Sequence, residues 1–102
     1  MGIGTIEIFK MTEFNGNGHY RISTNDFRSP EFYMIIDKEN RIIRFYLTQN
    51  FILDPVKIID CKIDAPIGEI PGVPTMVFSR AILQAVKTFS LDIFPDSLSY
   101  AA

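Results

Sequence analysis

The chain has 102 residues, 47% of them hydrophobic and 22% charged, with a formal net charge of −2. That length suits one domain, residues 1–102, and its composition excludes a disordered tail, a fibre and a disulfide scaffold. No apolar run approaches the ~20 residues needed to span a bilayer, so the expectation is a compact soluble domain with no membrane partner.

Residues 3–11 alternate, with Ile6 and Ile8 on one face and Thr5, Glu7 and Phe9 on the other, which predicts a half-buried strand. Asn15-Gly16-Asn17-Gly18 is turn chemistry, because Asn and Gly both tolerate positive φ. His19 to Thr24 alternates again, with Tyr20 and Ile22 facing one way, so the two segments form a hairpin. Asn25 to Pro30 is a polar connection.

Residues 31–37 place Phe32, Met34 and Ile36 on one face and Tyr33 and Ile35 on the other. Residues 41–48 place Ile43, Phe45 and Leu47 inward and Ile42, Arg44, Tyr46 and Thr48 outward. The polar turn Asp37-Lys38-Glu39-Asn40 joins them as a second hairpin. A fifth strand covers Val56 to Ile63, with Ile59, Cys61 and Ile63 inward, and Pro55 suits its start.

Asp64 to Pro74 contains three prolines and two glycines and is neither strand nor helix. Phe78, Ala81, Ile82, Ala85, Val86 and Phe89 then recur at helical spacing on one face. Pro74 in the first turn and Thr75 as the cap mark the start of this helix. In the tail from Ser90 to Ala102, Leu91, Ile93 and Phe94 pack loosely and Pro95 prevents a helical continuation. The expected fold is α+β: an antiparallel sheet of about five strands, two hairpins plus one strand, packed against one C-terminal helix.

Chemistry-bearing residues are sparse. His19 is the only histidine and stands beside the Gly-rich turn, where side chains are solvated; no catalytic residue is assigned. Cys61 is the only cysteine and lies on the predicted core face, where nothing stabilises a thiolate. One thiol makes no internal disulfide and fits a reducing compartment, and Met1 to Glu7 has no signal-peptide pattern, so the expected location is the cytoplasm. Asp54, Asp60, Asp64 and Glu69 have no metal-loop spacing and read as solvated surface, so neither a metal nor a cofactor is expected. Gly2-Ile3-Gly4 and Gly16-Asn17-Gly18 do not open a helix and are not phosphate loops.

The sheet face away from the helix is the exception. It carries Phe9, His19, Arg21, Tyr33, Ile35, Ile42, Arg44, Tyr46 and Ile58, a mixture typical of protein interfaces. The leading expectation is a non-catalytic interaction module, self-associating or acting as a subunit or adaptor, with Phe9, Tyr33, Arg44 and Tyr46 as partner-binding residues. Arginines among aromatics also resemble a stacking platform for single-stranded nucleic acid, but a sequence pI near 5.2 disfavours phosphate binding. A third reading places a small-ligand or enzyme site under the loop at 64–74. Internal packing of the second face, by the N-terminal hairpin or the tail, is the structural alternative to all three.

Overall fold

The computed structural model describes residues 5–14, 17–51 and 53–93. Its elements are β1 (Ile6–Phe14), β2 (Asn17–Thr24), β3 (Phe32–Asp37), β4 (Ile42–Tyr46), β5 (Lys57–Asp60) and α1 (Thr75–Phe89). The strands form one antiparallel sheet in chain order, so each strand pairs with its sequence neighbour and β1 and β5 are the two edges. The helix lies across one face, giving the expected α+β architecture.

The alternation read from β3 and β4 determines which side chains meet the helix. Phe32, Phe45 and Phe78 lie at centroid separations of 5.0 to 6.5 Å, and Phe45 and Phe78 meet edge to face. Such pairs add to the stabilisation from area burial alone. Around them pack Ile22, Met34, Ile36, Ile43, Ile82 and Val77, all fully buried. Tyr20 stacks on Phe89 at 4.5 Å, closing the core toward the helix C-terminus.

The segment 64–74 is a third contributor to this core. Ile67, Ile70 and Val73 are buried in it, so the segment crosses from sheet to helix pinned at three points. Gly68 and Gly72 have φ of 75° and 83°, which a side chain rarely adopts.

Several boundaries differ from the sequence expectation, each for a local reason. Strand β1 runs on to Phe14 and carries a bulge at Met11, where the register with β2 shifts between Lys10 and Thr12. Of the four turn residues, Asn17 and Gly18 belong to β2 and residues 15 and 16 lie outside the described residues. A Cβ at Gly18 would collide with the Tyr20 ring, which fixes glycine there.

Strand β4 stops at Tyr46, leaving Leu47 exposed rather than inward, because the chain turns back over the sheet at this point. Strand β5 stops at Asp60: its carboxylate accepts from the Lys62 backbone N–H (2.9 Å) and its carbonyl from that of Ile63 (3.1 Å). That turn rotates Ile63, expected in the core, to 56% exposure.

Thr75 does not cap the helix. Pro74 occupies the cap position and its carbonyl accepts from Phe78 N–H at 3.1 Å, while the Thr75 hydroxyl donates to Glu69 Oε1 at 3.5 Å. At the other end Ser90 adopts the left-handed conformation, and the N–H groups of Ser90 and Leu91 both reach the Val86 carbonyl. Leu91 and Ile93 then pack on the core, whereas Phe94 and Pro95 lie outside the described residues.

The β2–β3 connection is organised around Asp26, whose carbonyl also accepts from the Ser29 N–H at 3.0 Å. Asp26 accepts from the Arg28 backbone N–H (3.0 Å), Nε (3.0 Å) and Nη2 (2.7 Å), and these bonds lower its carboxyl from the usual 3.8 to about 2. A lowered native pKa means that the stabilisation is complete above about pH 4 and disappears as pH falls toward 2. Melting temperature followed from pH 5 to pH 2 should therefore fall less steeply in Asp26→Asn than in the parent chain. In the core, Phe78→Ala removes the ring shared by helix and sheet and should destabilise the fold by about 3–5 kcal/mol in urea titration. A loss under ~1 kcal/mol would contradict the packing described.

Candidate interaction surface

The strand registers line up the residues of the second face in rows. One row runs Phe9, Arg21, Tyr33, Tyr46 across β1 to β4. The next runs Thr12, His19, Ile35, Arg44, Ile58 across all five strands. All four partner-binding candidates thus share this face, three in one row and Arg44 in the next.

They do not share an environment. The chain between β4 and β5 folds back so that Phe51 sits edge to face with Tyr46 (5.1 Å), His19 (4.9 Å) and Tyr33 (6.4 Å). Under it Tyr33 and Tyr46 are only 7% and 6% exposed, and with Ile35 they form a second, small core. The Tyr33 hydroxyl is also within 3.4 Å of the donating Gln49 Nε2. Burial raises the Tyr46 phenol above its usual value near 10. Sequence reasoning does not identify Phe51, which stands outside any alternating strand pattern; its one signal is that it opens the short apolar run Phe51-Ile52-Leu53 after the polar Thr48-Gln49-Asn50.

Arg44 lies beside Asp37 at 3.7 Å. The Asp37 carboxyl, buried at the end of β3, is held below the ordinary carboxylate range chiefly by hydrogen bonds from Asn40, its side chain (2.8 Å) and its backbone N–H (3.1 Å), with Arg44 adding a smaller share. Arg44 is therefore engaged within its own chain.

Phe9 is different. It lies on the edge strand, 39% exposed, next to the exposed Met11 of the bulge. The Arg21 guanidinium sits over its ring at 4.7 Å, a cation–π contact. Arg21 Nε is buried without a hydrogen-bond partner, and among the described residues Arg21 has no ion pair. Glu7, two residues before Phe9 on the same face, is exposed and also has no ion pair among the described residues. At the opposite edge Ile58 and Ile63 are exposed.

The sheet separates the two residues most suited to nucleophilic chemistry. His19 is half-buried on the second face against Phe51, whereas Cys61 is buried on the helix side, where desolvation raises its thiol. Among the described residues no three His, Cys, Asp or Glu side chains are grouped to hold a metal ion, and no helix is long and apolar enough to cross a membrane. A cleft of about 270 Å³ lies between the β3–β4 turn and the end of α1, walled by Ile43, Cys61, Phe89 and Leu91 with Lys38 and Arg41. A smaller one, about 190 Å³, lies at the loop at 64–74 and is lined by Pro66, Gly68, Glu69, Thr75 and Ser79. No protein-family model, no curated protein and no solved structure matches the chain.

The burial of Tyr46 makes it a stability position as well as a surface candidate. Tyr46→Ala should cost about 2–4 kcal/mol of unfolding free energy. Phe51→Ala should leave the fold in place and lower the Tyr46 phenol toward 10, because the desolvation that raises it is relieved. Ultraviolet titration of the tyrosines checks this, and an unchanged profile would mean that Phe51 does not cover the face.

Proposed function

We propose that this chain is a non-catalytic interaction module that self-associates, as a subunit of a homo-oligomer, through the β1 border of its second sheet face. The observation that carries the reading is the contrast between the two ends of one row. Tyr33 and Tyr46 are sealed by the chain's own Phe51, whereas Phe9, with Met11 beside it, is left open. Apolar side chains on a strand edge beside an arginine and an acid with no ion pair among the described residues form a surface complementary to itself. A second copy satisfies both kinds of group at once.

The remaining features agree with this role. His19 and Cys61, on opposite sides of the sheet, cannot work on one substrate. A single buried thiol suits a reducing compartment, and the cytoplasm is the location we favour. The part-exposed arginines of the face are two, Arg21 and Arg44, and the second is paired with Asp37, so there is no free basic stripe, which supports a protein partner over a nucleic acid.

Light scattering across a concentration series from micromolar to millimolar should return a mass that rises from one chain toward two. Phe9→Ser should raise the dimer dissociation constant about tenfold or more while changing unfolding free energy by under ~1 kcal/mol, since Phe9 is already part-solvated. A chain that stays monomeric throughout the series would overturn the reading.

A further inference from the structure

Resting on that reading, we infer that two copies join edge to edge through β1, forming a continuous antiparallel sheet in which Glu7 of each copy pairs with Arg21 of the other. Strand β1 is the longest in the sheet and a terminal one, so one side of its backbone has no strand partner among the described residues. An open edge of this kind pairs readily with another strand unless it is guarded. Lysine is the usual guard, but the Lys10 ammonium is bound to Glu13 at 2.8 Å within its own strand.

The register follows from the side chains. A two-fold axis normal to the sheet pairs antiparallel strands so that residues directly opposite share a face. With the axis at Ile8, Ile8 faces Ile8 of the second copy on the helix side, beside Ile6 opposite the aliphatic stem of Lys10. On the other side Glu7 of the second copy stands directly opposite Phe9, with Cβ atoms about 5 Å apart. The Arg21 guanidinium already lies over the Phe9 ring, so a carboxylate arriving opposite Phe9 meets it. The pairing supplies an anion to Arg21, whose Nε is buried and unbonded, and a cation to exposed Glu7, and does both twice by symmetry. It uses residues on the near side of the bulge at Met11, where the strand is regular.

Charge exchange tests the pairing. Glu7→Arg sets two guanidinium groups against each other at each contact, and Arg21→Glu sets two carboxylates against each other. Each variant alone should therefore dimerise at least about tenfold more weakly than the parent chain. An equimolar mixture of the two variants forms a mixed dimer in which a guanidinium of one chain meets a carboxylate of the other at both contacts, so mixing should restore affinity to within about threefold of the parent chain. The chain carrying both changes restores opposite charges at both contacts and should return the parent affinity within about threefold. Sedimentation velocity at 50 mM and 500 mM salt reads all five samples, and the parent dimer should weaken at high salt.

The outcomes separate this inference from the broader reading. A parent dimer that neither single change weakens, or one weakened by both yet not restored in the mixture or in the doubly changed chain, overturns the Glu7–Arg21 pairing and leaves self-association standing. A dimer abolished by Phe27→Ser and untouched by the charge changes does the same. Phe27 is the most exposed apolar side chain among the described residues, at 96%, and stands on the β2–β3 connection. A parent chain that is monomeric at every concentration overturns both and leaves the edge to a strand of another protein.

Discussion

Strand β3 buries all six of its side chains, three toward the helix and three toward the opposite face, and the rest of the chain is arranged around that double requirement. Among the described residues one helix is present to cover the sheet, and α1 satisfies only Phe32, Met34 and Ile36. The other side is covered with far less material. One aromatic ring, Phe51, delivered by the turn after β4, closes over Tyr33, Ile35 and Tyr46. The second cover is small, reaching the middle of the face and no farther, and this is why the borders of the sheet rather than its centre hold the unsatisfied groups.

Polar groups follow the same division between sealed and open. Where a carboxylate is buried, as at Asp26 and Asp37, hydrogen bonds from residues two or three positions away hold it charged. Arg41 ties the β3–β4 turn to the chain after the helix, its guanidinium donating to the Asp92 carbonyl at 3.0 Å. These bonds make rigid turns of segments that otherwise have little to bury. Arg21 Nε, like Arg41 Nε, is buried without a partner, but unlike Arg41 with its bonds to Asp92, Arg21 has no ion pair among the described residues. It is the place where local hydrogen bonding stops and an external group becomes useful.

The facing of the strands was legible because alternation is a backbone property: neighbouring side chains in a strand must diverge. Phe32, Met34 and Ile36 separate from Tyr33 and Ile35 on that ground alone, and the row of Phe9, Arg21, Tyr33 and Tyr46 follows once the registers are known. What the pattern lacked was any record of where pairing stops. Leu47 and Ile63 continue the alternation on paper but fall beyond turns, the second of them set by the bonds around Asp60. Phe51, Ile67, Ile70 and Val73 were illegible for a related reason: they are anchors in irregular segments, and only tertiary contact gives them a role.

The order β1-β2-β3-β4-β5 has a consequence for the chain as it is made. Every strand finds its neighbour a short connection away, so the sheet can zip up progressively during synthesis with little loop-closure entropy to overcome. The helix that covers it comes last, since 29 residues separate the end of β5 from the end of α1. At ordinary elongation rates that is roughly 1.5 to 6 s. For that interval Ile22, Met34, Phe45 and their neighbours form a finished, greasy and uncovered sheet. The nascent protein is then a natural client for a holding chaperone, and crowded polysomes are where its aggregation would begin.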